Sequence, residues 1–284
     1  MAPGPDGSTL RHRKDNSGDT TMSNLFLMRY DVEHDDVEKM KGYFEKVIEV
    51  HRKDQIPASF FCTGNALDKR ESAFRAFYQE VKNDPLFDLQ DHSYTHIGIC
   101  YEAGKPVPVL HADYEQSFAA HKRVLGKDPV GVSICGTSGK DGKSLSGFDA
   151  TDKAKEELAM LVGLGLKMIN TRLSHRQGNH EFCNYSSLGF PEVMGYPSTY
   201  SDTEWMAKPT TDPAEEAVFG YIKNHAEKGW HMPLIMHDWC SWLRSPDQEL
   251  THVRRIAEKA RKEGFELVTH WSCYDRKELW TKHV

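Results

Sequence analysis

The chain has 284 residues and a mass of 32.4 kDa, is 38% hydrophobic and 27% charged, and has a mean hydropathy of −0.64; these values argue against a disulfide-stapled miniprotein and against a membrane-embedded helical protein. With 36 Lys and Arg against 42 Asp and Glu, the net charge of −6 disfavours a nucleic-acid surface, so neither nucleic acid nor membrane is an expected partner. Residues 1–23 lack the apolar core of a secretory signal and read as a disordered tail, with a cytoplasmic location expected and residues 24–284 forming one catalytic domain.

From residue 24, short apolar runs alternate with amphipathic stretches, the pattern of a parallel sheet covered by helices. Strands are predicted at 24–30, 57–64, 86–90, 130–134, 166–170, 191–197, 233–237 and 265–268. Helices are predicted at 35–53, where Val37, Met40, Phe44, Val47 and Ile48 share a face capped by Asp35 or Asp36, and at 74–83, 113–126, 152–165, 213–229 and 248–264. The last three end at glycine, the residue suited to a left-handed C-terminal turn. Residues 135–148 and 174–188 read as long loops.

Polar residues that follow apolar strands are where α/β folds gather their chemistry. The first strand runs into Asp31 and Glu33, the third into His92 and His96, and the late strand into His237, Asp238 and Trp239. His92 and His96 form the only H-x-x-x-H among 15 histidines, a spacing at which two neutral imidazoles share one ion, and Glu33 would complete a His₂-carboxylate set. Each group also has a plainer reading: Asp31 and Glu33 as an acidic helix start, His237 as a buried histidine bonded to backbone, and Trp205, Trp239 and Trp242 as core aromatics rather than a sugar-stacking surface. The glycine-rich 136–144 segment fails the phosphate-loop spacing by one residue. Six cysteines without a C-x-x-C pair read as free thiols, and none carries a flanking feature of an activated nucleophile or a thiolate zinc site.

In order, RYDVEHDD, IPASFFCTGNAL, FDLQDHSYTH, the loop after GVS, LVGLGLKMIN and PLIMHDW resemble the NodB-like polysaccharide deacetylases, metal-dependent carbohydrate esterases, over about residues 25–275. The resemblance implies an α/β fold, a distorted (β/α) barrel of the NodB-homology type. It also implies a divalent metal, zinc by default with cobalt or nickel as substitutes, held by Glu33, His92 and His96. Asp31 is then the base and His237 the acid, and Trp239, Tyr200 and Asp202 line the substrate, with Asp202 in the region that tunes the acid histidine. Two departures stand out. Glu33 occupies the place of the family's metal aspartate, and the family's Arg-x-Pro motif is replaced by Ser133-Ile134-Cys135, leaving the base without an evident arginine. The implied activity is removal of acetyl groups from an N-acetylated sugar or glycan. The alternatives are a metal-free C–N hydrolase of a small cyclic amide or ureide, and a non-catalytic carbohydrate-binding barrel motivated by the missing arginine.

Overall fold

The computed structural model describes residues 23–98, 106–135, 152–171, 180–198, 200–205, 211–244, 247–280 and 282–283. The expected tail, apart from Ser23, and the parts of the two predicted loops at 136–148 and 174–179 lie outside the described residues. The strands are β1 (Leu25–Val32), β2 (Ala58–Cys62), β3 (Phe87–Asp91), β4 (Gly131–Val132), β5 (Met168–Thr171), β6 (Cys183–Tyr185), β7 (Phe190–Pro197), β8 (Met232–His237), β9 (Glu266–Val268) and β10 (Lys282–His283). The helices are α1 (Tyr43–Lys53), α2 (Gly64–Lys69), α3 (Glu71–Val81), α4 (Val107–Leu125), α5 (Asp152–Gly163), α6 (Asp202–Trp205), α7 (Thr211–Lys228) and α8 (Thr251–Lys262). Among the described residues no helix is long and apolar enough to cross a membrane.

The strands form one sheet in the order β10-β6-β7-β5-β4-β3-β2-β1-β8, parallel except for the β6–β7 pair. β8 pairs with β1 from Phe26 to Asp31, so β2 and β9 share the opposite edge of β1, β9 along Leu25–Leu27 and β2 along Arg29–Val32. Among the described residues, hydrogen bonds do not close the sheet into a ring: between β7 and β8 the strand-type pairing is the isolated Ser201–Ile235 bridge.

All eight predicted strands are present; α4 begins six residues before the predicted start, α2, α6 and β10 are additional to the predicted elements, and three further differences bear on the site and the core. β6 lies inside the stretch read as a loop from residue 174 to 188; three residues are too few to show alternation, and its pairing comes from β7. β1 continues two residues past the predicted end, which places Asp31 within the sheet. α1 begins only at Tyr43, because Gly42 sits at φ 80° and breaks the helical path. Asp36 instead caps a local turn through Lys39 N (3.0 Å), and Val37, expected on the buried face, is 49% exposed.

The period of two along β1 sets the layers. Phe26, Met28, Tyr30 and Val32 point into the core beneath α1, α3 and α8, whereas Leu25 and Leu27 join Phe61, Met168, Met194 and Tyr196 on the other face. Arg29 and Asp31 continue that second face, so its lining changes from apolar to charged along one strand.

A second buried ion pair anchors the loops at the strand ends. Arg70, at the start of α3, donates to Asp238 Oδ2 (3.0 Å) and to the His34 carbonyl (2.9 Å), and its guanidinium lies over the rings of Phe44 and Phe74. Asp238 Oδ1 accepts from the amides of Glu33 and Trp239 at 3.1 and 2.9 Å. Both side chains are at most 1% exposed. Removing one partner of such a pair strands the other charge, so Arg70→Ala is expected to lower unfolding free energy by about 3–5 kcal/mol, read from urea denaturation.

Candidate active site

Because β1, β3, β4 and β8 lie in the parallel part of the sheet, their C-terminal ends meet on one side. Asp31 and His237 are register partners on adjacent strands. Glu33 is one residue past β1, His92 one residue past β3, and Cys135 three residues past β4. The structure therefore brings Asp31, Glu33, His92, His96 and His237 together, as the sequence reading expected.

Glu33 is the hub. Its Oε1 lies 3.3 Å from His92 Nε2, 3.1 Å from His96 Nε2 and 3.7 Å from His237 Nε2, and its Oε2 accepts from the Trp239 indole N–H at 2.9 Å. His92 Nδ1 is 2.7 Å from the Ser133 carbonyl, which only accepts, so a proton sits on Nδ1, and it is Nε2 that faces Glu33, as N–H in the charged ring or as a lone pair in the neutral one. A lone pair facing a carboxylate requires a proton or a cation between them. The donors therefore fit a divalent ion held by Glu33, His92 and His96, and two imidazoles with a carboxylate suit zinc.

His96 reaches this point through local backbone strain. Ser93 and His96 both have positive φ (61° and 60°), unusual for residues with a Cβ. The turn is held by Ser93 Oγ accepting from Ile97 N (2.9 Å) and by Asp113 of α4 accepting from Tyr94 N (2.7 Å) and Thr95 N. A shallow pocket lined by Glu33, Thr63, Asn65, Tyr94, Thr95 and His96 opens beside it.

Asp31 is buried, with Oδ2 held by Arg29 Nη2 at 3.0 Å and Oδ1 without a hydrogen-bond partner. Arg29 also donates to Ser198 Oγ (3.2 Å). Asp31 thus has an arginine beside it, supplied two residues earlier on the same strand rather than from the position of Ser133. The period of two was the signal that could have found it, since residues 29 and 31 share a face. On the other side, His237 Nδ1 is 2.6 Å from Asp202 Oδ1 and the His237 amide donates to Asp202 Oδ2 at 2.7 Å. Asp202 is fully buried and orients the histidine rather than lining a substrate surface. Trp239 has its N–H committed to Glu33 and carries Arg244 over its ring at 4.5 Å. Tyr200 stacks on Tyr221 of α7 (3.8 Å), and Trp242 is a core residue against Tyr43. Asp91 accepts from Ser117 and faces His121 at 3.3 Å, so neither it nor Asp238 is positioned as an alternative base.

Charge is distributed by these contacts. Burial pushes the Asp31 carboxyl up, but Arg29, then His92 and His237, hold it below its ordinary value. Glu33 is likewise lowered against burial, by His92 and His96. Burial lowers His237, yet Asp202 and the site carboxylates raise it on balance. His96, opposed by burial, is raised to about 10 by Cys135 and Glu33. The Cys135 thiol, which burial alone would raise, is brought down to about 7 by His92 and His96.

No protein-family model and no curated protein matches the chain in sequence. In fold it is similar to a Mycobacterium smegmatis protein assigned by name to the polysaccharide deacetylases (12% identity, TM-score 0.68, covering 94% of this chain and 95% of that one). It is also similar to a polysaccharide deacetylase from Bacillus cereus (14%, 0.53, 87% and 92%) and to a carbohydrate esterase family 4 pseudoenzyme from Bacillus anthracis (11%, 0.53, 92% and 67%). The chain has the polysaccharide deacetylase fold.

Two outcomes follow for the chelator-treated protein. A histidine with a raised folded-state pKa stabilises fully below its ordinary 6.5 and loses that contribution as pH climbs through the folded value, about 10 for His96. Glu33, lowered from 4.5, stabilises above 4.5 and loses its contribution in acid. Stability in urea should thus peak between these ordinary values and fall toward pH 10, with a shallower alkaline fall in His96→Ala. In Arg29→Met, only His92 and His237 remain to oppose burial, and carboxyl ¹³C NMR should show Asp31 titrating at higher pH than in the wild type.

Proposed function

We propose that the chain is a metal-dependent hydrolase that removes acetyl groups from an N-acetylated sugar or glycan. The observation that carries this reading is the arrangement of a carboxylate and two imidazoles at one point, flanked by an arginine-held Asp31 on one side and an Asp202-held His237 on the other. Fold similarity to named polysaccharide deacetylases supports the substrate class.

A divalent ion at Glu33, His92 and His96 would supply Lewis acidity, lowering the pKa of a water from 15.7 toward about 7. Asp31 has one oxygen fixed by Arg29 and the other unpartnered, so Oδ1 is the atom that takes the proton as water adds to the amide carbon. His237 is held through Nδ1 by Asp202, which leaves Nε2–H facing the site, and protonates the nitrogen as the C–N bond breaks. Base and acid come from adjacent strands in register, so their spacing is fixed by the sheet rather than by loops.

Arg29 at the side of Asp31 favours this reading over a non-catalytic carbohydrate-binding barrel, whose rationale was an unsupported base. Acetate release from N-acetylated glycans is expected to be abolished by chelation and restored by zinc. Turnover of a cyclic amide or ureide that survives chelation would instead establish the metal-free alternative. Asp31→Asn and His237→Ala should each slow deacetylation by about 10²–10⁴ while zinc remains bound by elemental analysis. The first variant removes the acidic limb of the pH–rate profile and the second the basic limb.

A further inference from the structure

One donor beside the histidine pair is absorbed by neither the motif reading nor the mechanism above. Cys135 is fully buried in the segment that leaves β4, at the last position of the Ser133-Ile134-Cys135 stretch. Its Sγ lies 3.8 Å from His92 Nε2, and the ligand atoms of Cys135, His92 and His96 all fall within 4.8 Å of one another. Of the five free cysteines described, Cys62, Cys183, Cys240 and Cys273 stand in no such group among the described residues.

The spacing matches that of donors around a shared ion. Around a tetrahedral zinc, with Zn–N about 2.0–2.1 Å and Zn–S about 2.3 Å, neighbouring N and S donors lie about 3.6 Å apart and neighbouring N and O donors about 3.3 Å apart. The separations here are 3.8 Å from Cys135 Sγ to His92 Nε2, and 3.3 and 3.1 Å from Glu33 Oε1 to His92 and His96. The Ser133 carbonyl leaves Nε2 of His92 as the nitrogen that faces Glu33, and Cys135 Sγ lies beside the same ring, 3.8 Å from Nε2 and 4.0 Å from Nδ1. The sulfur is also within hydrogen-bond distance of the His92 carbonyl and Ser93 Oγ, each at 3.5 Å; as a thiolate it would give up the first contact and accept from the second.

We propose that Cys135 is a thiolate ligand of the same ion as His92 and His96, a role that rests on the metal-dependent reading above. Glu33, which faces both imidazoles, would be the further protein donor to such an ion. A thiolate with two imidazoles selects zinc and its soft neighbours over magnesium, calcium and manganese.

The test is cobalt substitution of the stripped full-length protein, followed by absorption spectroscopy. Wild type should show visible d–d bands together with an intense near-ultraviolet sulfur-to-cobalt charge-transfer band. Cys135→Ser should keep the visible bands, lose the near-ultraviolet band, and bind cobalt at least as much more weakly as the about 10–100-fold that loss of an outer-shell partner costs. Visible bands without the charge-transfer band in wild type, or a band unchanged in Cys135→Ser, overturns the thiolate assignment and leaves the metal site standing. No cobalt bands in wild type overturns both. If Cys135→Ser does not fold, zinc-edge X-ray absorption of the zinc-loaded wild type decides: a sulfur scatterer at about 2.3 Å is expected, and a shell of nitrogen and oxygen alone overturns the proposal.

Discussion

Two charges buried in the middle of a strand set the terms for this fold. Arg29 and Asp31 lie on one face of β1, 3% and 5% exposed at their side chains, and removing them from water carries a desolvation cost that only their 3.0 Å contact and nearby polar atoms offset. That requirement explains the surroundings. Ser198 takes a second guanidinium proton, His92 stands 3.8 Å from Asp31, and the Phe61 ring lies under the guanidinium. The same face is packed with Leu25, Leu27, Phe61 and Met168 toward the start of the strand, so polar groups are confined to the end where chemistry is possible.

The site is assembled as a relay of restraints. Asp238, paired with Arg70 beneath the Phe44 and Phe74 rings, pins the amides of Glu33 and Trp239; Trp239 in turn holds Glu33, and Glu33 faces three imidazoles. Each histidine is oriented through its other nitrogen or its backbone: His92 by the Ser133 carbonyl, His237 by Asp202, and His96 by a strained turn tied to α4. Burial would shift each charged group toward neutrality. The pairing of carboxylates with imidazoles keeps them charged, which is the electrostatic setting a divalent cation would replace.

Where the resemblance implies an Arg-x-Pro motif, this chain has Ser133-Ile134-Cys135 and draws its arginine from elsewhere. The cation beside Asp31 comes from β1, and the segment after β4 contributes a carbonyl to His92 and a thiol beside the histidine pair. Side chains from different strands can fill the same volume, so equivalent contacts need not come from equivalent positions.

The sequence by itself determined the alternation of strands and helices, the strand-end placement of Asp31, Glu33, His92, His96 and His237, and the glycine stops of the later helices. These depend on periodicity and on backbone preferences that act within a few residues. Tertiary structure decided what depends on distant partners. β6 exists because β7 offers it an edge, and Asp202 became an orienting group because a bridge to Ile235 brings it under His237. Trp239 became the tether of Glu33, and Cys135, 39 or more residues from either histidine, became their neighbour. No spacing rule encodes such contacts, because they arise from the register of strands and from loops folding back over their ends.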